Sequence, residues 1–222
     1  MKKYLTVLFA ILLCVNLSFA QSQRSAKFQI SIGGGLNVPI GVFDDQYSLG
    51  MNMLLGLDFF LSKHFCLFLN SGFDSFKYDT SGVPSNVYKQ EGGDLSLYSI
   101  FVGAKGVIPT KIKLTIYALG GLGFCTQKSS DFQIWGREPG YEYWQTTYNK
   151  FREGNFLAVT AGCGLEYTIV KMLGLFVEIR VVNVFTTEQG KPDDWPFLSP
   201  EVYQDHPDVL FFPLRLGVNI KI

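Results

Sequence analysis

Several features that would point to chemistry are scarce in this chain. It has only two histidines and four cysteines in 222 residues, and no two cysteines have the C-x-x-C spacing of a zinc or redox centre. Basic and acidic residues number 19 each, so there is no excess of positive charge for binding nucleic acid. We therefore expect no catalytic residue, no cofactor, no metal and no nucleic-acid partner. Cys66, Cys125 and Cys163 are expected to be single buried thiols.

Long apolar runs are absent except at the start of the chain. Two lysines precede an apolar stretch there, and Ser18 and Ala20 put small residues where a signal peptidase cleaves. This pattern predicts a signal peptide over residues 1–20 and a single mature domain over residues 21–222. An uncleaved anchor is the alternative, but the run is short for a span of about 20 residues.

The rest of the sequence alternates between apolar and polar residues in eight segments. In the last segment, every second residue from Leu210 to Ile222 is apolar, whereas Arg215 and Lys221 fall on the other parity. A period of two is typical of a β-strand with two different faces. Pro213, which cannot donate to a strand ladder, predicts a β-bulge near the outer rim. The eight segments are residues 28–38, 50–61, 65–76, 95–108, 112–124, 155–169, 174–185 and 209–222.

The connections between these segments run alternately long and short, and the second long one is predicted to be a loop from about residue 79 to residue 93. Outer-membrane β-barrels have this rhythm, because their periplasmic turns are tight and their extracellular loops are long. The sequence therefore predicts an all-β fold, an eight-stranded antiparallel transmembrane β-barrel preceded by a cleaved signal peptide. Its predicted location is the bacterial outer membrane, where lipid surrounds it.

Charged residues of four segments share the face that also carries glycines and polar side chains. The opposite faces carry no charge, as lipid demands, because a lysine or arginine at the bilayer midplane costs about 2–4 kcal/mol. A soluble lipocalin-type barrel would show the reverse arrangement and is the alternative. The predicted lumen charge network consists of Asp58, Glu166, Glu178, Arg180, Arg215 and Lys221, with Lys105 and Lys113 as further candidates.

An eight-stranded barrel has an interior only just wide enough for its own side chains. We therefore predict that this network plugs the lumen. A proton or small-solute pathway through the charges is the functional alternative.

The sequence resembles the small outer-membrane β-barrel proteins of Gram-negative bacteria, both the OmpA/OmpX-like kind and the PorT-like barrels of Bacteroidetes. The resemblance rests on the signal ending SFAQ, the first strand with GGGLNVPIG, the order of hairpins and the amphipathic last strand. It implies that both termini lie in the periplasm and that the long loops face outside. The PorT-like part of the resemblance implies that the protein is a subunit of a secretion or assembly apparatus. Ile222 departs from the pattern, since many such barrels end in an aromatic residue.

The third long connection is rich in aromatic residues. Tyrosine and tryptophan rings stack on sugars and anchor protein interfaces, so we predict envelope or extracellular protein or glycan partners for this loop. The alternative is that the rings belong to an aromatic girdle at the membrane interface and that the flanks of this loop are strands projecting above the membrane. The candidate interaction residues are Trp135, Tyr141, Tyr143, Trp144 and Tyr148.

Catalysis has little support in the sequence. His206 lies beside Asp205 in the last loop and resembles the acid and histidine pairs of the omptin proteases, but omptins are larger, ten-stranded barrels. We predict a non-enzymatic surface or envelope interaction protein. A secretion-apparatus subunit is the alternative, and a surface hydrolase or small-solute channel is a remote one.

Overall fold

The computed structural model describes residues 28–79, 87–110, 112–136, 144–148, 153–186 and 208–222. The predicted signal peptide lies outside these described residues. Within them the chain forms eleven β-strands and one short 3-10 turn. The strands are β1 (Phe28–Pro39), β2 (Gly50–Ser62), β3 (Phe65–Phe76), β4 (Val87–Gly92), β5 (Leu95–Pro109), β6 (Leu114–Ser129), β7 (Phe132–Gly136), β8 (Trp144–Tyr148), β9 (Glu153–Val170), β10 (Leu173–Phe185) and β11 (Val209–Lys221).

Eight of these strands close into a barrel in the order β1-β11-β10-β9-β6-β5-β3-β2. Every neighbouring pair is antiparallel, and β1 and β11 close the ring with one unbroken register from Gln29 opposite Lys221 to Pro39 opposite Phe211. The predicted eight-stranded antiparallel barrel is therefore confirmed.

The two ends of the barrel differ in their connections. We call the end with the short connections, at residues 63–64, 110–113 and 171–172, the turn end, and the opposite end the loop end. Short turns face the periplasm and long loops face the outside in bacterial barrels of this kind.

The outward face of the barrel is apolar. Leu55, Val102 and Leu122 on this face are each more than half exposed, as are many similar side chains around the wall. Lys128 and Glu153 are the charged residues on the outward face of the described barrel strands, and they lie opposite each other at the loop end. A soluble barrel would expose such charges along its whole wall, so the arrangement is that of a barrel in lipid.

Aromatic pairs lie at both ends of this apolar belt. The rings of Phe28 and Phe59 are 5.1 Å apart near the turn end, and those of Phe73 and Tyr98 are 5.0 Å apart near the loop end. Such girdles mark the two membrane interfaces. No helix among the described residues is long and apolar enough to span a membrane.

Two of the long connections contain strands. The second outer connection was predicted to be loop throughout residues 79–93, but β4 lies within it. The third contains β7 and β8, and β6 continues five residues beyond its predicted end at Phe124. Together β4, β7 and β8 form a separate three-stranded sheet at the loop end, in the order β4-β7-β8.

Two predictions about single residues were wrong. Pro213 causes no bulge, because the register between β10 and β11 is the same at Leu214 and at Phe211, on either side of the proline. The proline only interrupts the ladder locally, since it lacks an N–H group. Cys163 is exposed on the outward face, whereas Cys66 and Cys125 are buried.

Candidate functional site

The lumen holds the predicted charge network, arranged in layers along the barrel axis. In the layer nearest the turn end, Lys105 Nζ lies 2.6 Å from Asp58 Oδ2. Lys221 Nζ lies 2.5 Å from Glu166 Oε1. Gln29 joins the two pairs, because its Nε2 donates to Asp58 Oδ2 at 3.4 Å and to Glu166 Oε2 at 3.2 Å. Both acids are therefore neutralised by a lysine from another strand.

The middle layer is centred on Glu178. Glu178 and Arg180 lie two residues apart on β10, so both point inward, and Arg180 Nε lies 2.5 Å from Glu178 Oε1. Tyr117 Oη donates to Glu178 Oε2 at 3.2 Å, and Arg215 Nη1 lies 3.7 Å from Glu178 Oε1. With its amide oxygen facing Arg180, Asn70 accepts from Nη1 at 2.9 Å and Nη2 at 2.7 Å. Side chains from three other strands, β3, β6 and β11, thus hold this ion pair in place.

A third layer, closer to the loop end, forms a closed ring of four side chains. Arg215 Nη2 lies 3.8 Å from Asp74 Oδ1, which also accepts from Asn37 Nδ2 at 3.0 Å. Asn52 Nδ2 donates to Asn37 Oδ1 at 2.9 Å, and Arg215 Nε donates to Asn52 Oδ1 at 3.2 Å. All four side chains are almost fully buried. These four polar side chains tolerate almost complete burial because each has a hydrogen-bond or ion-pair partner.

An apolar cap covers these polar layers at the loop end. After β1 the chain turns at Gly41, whose φ of 64° suits glycine, and brings Phe43 and Tyr47 over the mouth of the barrel with no exposed surface. The ring of Phe43 packs edge-on against Phe76 at 5.0 Å, and Phe76 packs edge-on against Phe211 at 5.1 Å. Other fully buried members of the cap are Leu95, Leu97, Val184 and Val209.

The charges of the lumen balance. The acids are Asp58, Asp74, Glu166 and Glu178, and the bases are Lys105, Arg180, Arg215 and Lys221, four of each sign among the described residues. The structure thus brings together all six residues of the predicted network and the further candidate Lys105, and it adds Asp74.

Lys113 and Asp74 depart from the sequence prediction. Lys113 was a candidate for the network, but it is exposed in the connection before β6 and does not reach the lumen. The reason is that strand alternation does not extend through a turn. Asp74 was missed, although it shares the parity of the inward residue Asn70 on β3, and that parity was the available signal.

A small cavity lies between the turn-end layer and the middle layer. It has a volume of about 10 Å³ and is lined by Lys105, Tyr117, Glu178, Arg180 and Asn219, among others. Roughly 10–15 Å³ is needed for one water molecule. The Oδ1 atom of Asn219 has no hydrogen-bond partner among the described residues, so a water here would satisfy it.

The predicted loop aromatics are only partly within the described structure. Trp135 lies in β7 and is half-buried, and it pairs with Gln145 of β8. The backbones of Trp144 and Tyr148 belong to β8, at the two ends of its pairing with β7. Tyr141 and Tyr143 lie outside the described residues.

The remote candidates for hydrolysis and metal binding are not assembled in the part of the chain that the structure describes. Asp205 and His206 lie outside the described residues. Among the residues that are described, no three histidine, cysteine or acidic side chains converge in a way that could hold a metal ion.

Comparison with solved structures gives the fold. Neisserial surface protein A (NspA) has a TM-score of 0.53 and 12 % identity, with 90 % of this chain and 100 % of that chain covered. A major outer membrane protein from Thermus thermophilus has a TM-score of 0.49 and 14 % identity, covering 90 % and 100 %. Ail, the attachment invasion locus protein of Yersinia pestis, has a TM-score of 0.42 and 15 % identity, covering 88 % and 96 %. No protein-family model and no characterised sequence matches this chain.

The chain is thus a small β-barrel of the bacterial outer membrane. The likeness to NspA supports the barrel fold, and the apolar belt around a polar lumen indicates that this barrel lies in a bilayer. The OmpA/OmpX-like part of the resemblance is supported at the level of fold. The PorT-like part has no support among these structures.

Proposed function

We propose that this protein is a non-enzymatic outer-membrane barrel that acts through its outer segments as a surface or envelope interaction protein. The observation that carries the proposal is the set of buried, paired polar side chains inside the barrel. Three polar layers with four acids and four bases lie below an apolar cap. These layers support a lumen without a path for solutes, and its charged groups already have partners.

The same pairing supports a lumen that carries no catalytic chemistry. A catalytic acid or base must reach its substrate at hydrogen-bond distance. Glu178 and Asp58 are each 2 % exposed and each bound to a cation, so neither is available to a substrate. The protein then acts through the part of its surface that lies outside the membrane.

The sheet of β4, β7 and β8 is the part of that surface best suited to a partner. It lies at the loop end, where β4 and β7 continue the β5–β6 pair beyond the barrel, and carries Trp135 together with the backbones of Trp144 and Tyr148. Tryptophan and tyrosine are favoured anchors at protein interfaces and stack on sugars. An envelope or extracellular protein or a glycan is the proposed partner.

Site-specific photo-crosslinking tests this proposal. A benzophenone amino acid replaces Trp135 in one variant and the lipid-facing Phe124 in a control variant, and whole cells are irradiated. We expect a discrete adduct to a protein or glycan from position 135 and only lipid adducts from position 124. The same adducts from both positions, or none from position 135, would contradict the proposal.

The alternative role, a subunit of a secretion or assembly apparatus, predicts a different native size. A mild-detergent extract of the outer membrane is resolved on a native gel, with an epitope placed in the second outer loop. A single small particle favours a stand-alone surface barrel. A large stable assembly with other envelope proteins favours the apparatus subunit.

A further inference from the structure

The turn end of the barrel exposes side-chain charge of one sign. Each of its three short turns contains a lysine, namely Lys63, Lys113 and Lys171, and none of the three forms an ion pair among the described residues. The nearest acids, Asp58 and Glu166, are buried in the lumen and paired with other lysines. The rim that faces the periplasm is therefore basic.

Apolar side chains stand directly beside these lysines. Ile112, which precedes Lys113, is 68 % exposed, and Met172, which follows Lys171, is 63 % exposed. Val170, on the other side of Lys171, is 56 % exposed. Large apolar groups at the tips of turns are stable in the acyl boundary of a bilayer, and a neighbouring lysine can extend its ammonium group to the headgroups. The turns thus combine exposed apolar side chains with lysines, as protein segments at a membrane interface do.

The loop end has the opposite electrostatic character. Lys77 and Lys128 are its exposed lysines among the residues with described side chains, whereas its exposed acids are more numerous. These acids are Asp44, Asp45, Glu91, Asp94, Asp131, Glu153 and Asp208. An anionic partner is therefore attracted to the turn end and repelled from the loop end.

We propose that the turn end binds the phosphate groups of anionic phospholipids in the periplasmic leaflet of the membrane. Lys113 and Lys171, which are exposed, and the half-buried Lys63 supply the charge, and Ile112 and Met172 insert beside the lipid chains. A basic residue near an anionic membrane surface contributes about a fivefold increase in binding. Lys113 and Lys171 together account for about a 25-fold preference for anionic over zwitterionic lipid at low salt. The inference does not depend on whether the lumen conducts.

Native mass spectrometry of the refolded barrel tests this inference. The protein is released from mixed micelles that contain equal amounts of phosphatidylglycerol and phosphatidylcholine with the same acyl chains, and the ratio of the two lipid adducts is measured. The test variant is K113Q/K171Q. The matched control is K77Q/K128Q, which removes the same charge from the loop end. A difference in gel mobility between heated and unheated samples shows that each variant is folded. If the double variant does not fold, K171Q alone replaces it.

We expect the unsubstituted protein to retain phosphatidylglycerol preferentially and to lose this preference as salt is added. K113Q/K171Q should lower the adduct ratio by about 25-fold, K171Q alone by about fivefold, and K77Q/K128Q should leave it unchanged. Equal retention of both lipids by the unsubstituted protein would overturn the inference. So would an unchanged ratio in K113Q/K171Q, or an equal loss in K77Q/K128Q, since the latter would indicate a general effect of charge.

Discussion

Replacing Glu178 by glutamine probes the balance of charge in the lumen. The substitution keeps the size of the side chain but removes the carboxylate that contacts Arg180 at 2.5 Å and Arg215 at 3.7 Å. The lumen then holds four basic and three acidic side chains. Arg180 and Arg215, each at most 3 % exposed, lose the carboxylate that both contact. Breaking a buried ion pair by removing one partner costs about 3–5 kcal/mol. Two unit charges about 4 Å apart interact with about 4 kcal/mol at an effective dielectric constant of about 20, which agrees with this range.

Urea unfolding of the refolded barrel in lipid vesicles measures the effect. The folded fraction is read from gel mobility without heating, and Glu178→Gln should lower the free energy of unfolding by about 3–5 kcal/mol. Asp45→Asn is the matched control, because it removes the same charge from an exposed loop position. The control should change stability by no more than about 0.5 kcal/mol.

A double variant separates charge imbalance from loss of packing. Glu178→Gln combined with Arg180→Gln restores a neutral lumen, so the double variant should be less destabilised than the sum of the two single variants. The reasoning would be refuted if Glu178→Gln were as stable as the Asp45→Asn control. It would also be refuted if the double variant lost the full sum of the single effects.

Two further predictions concern the cap and the barrel wall, and the same unfolding assay measures both. Phe43→Ala should cost about 3–5 kcal/mol because the ring is fully buried in the cap, whereas Val42→Ala, at a site 49 % exposed, should cost much less. Equal losses would show that the cap does not stabilise the barrel. Gly103→Ala should cost about 1–3 kcal/mol because its new methyl group would overlap the carbonyl oxygen of Gly120, whereas Gly106→Ala meets no atom within 4 Å and should be tolerated. An unchanged stability in Gly103→Ala would contradict the close packing of β5 against β6.

Much of the barrel could be predicted because strand alternation is a local property. The segment 65–76 was predicted with the bounds that β3 has, and the charges of β10 and β11 were placed on the correct face. Alternation was weak in β5 and β6 for a physical reason. Their inward faces carry apolar residues such as Phe101 and Leu119, so both faces of these strands look alike in sequence.

The cap could not be predicted in the same way. Phe43 and Tyr47 lie outside any alternating segment, and they reach the lumen only because the chain folds back after Gly41. The pairing of β4 with β7 joins two different connections and continues the register of the β5–β6 pair, from Leu95 opposite Ser129 to Gly92 opposite Phe132. Chain reversals and extended ladders of this kind are not encoded in the alternation of a single segment.

Conductance in a planar lipid bilayer tests the central claim most directly. The refolded protein is inserted in concentrated potassium chloride, and current is recorded over a range of voltages. A lumen filled by paired charges below an apolar cap predicts insertion without current steps. Reproducible steps from the unsubstituted protein, altered in size by Glu178→Gln or Arg180→Gln, would show that ions pass through the lumen and would contradict the account.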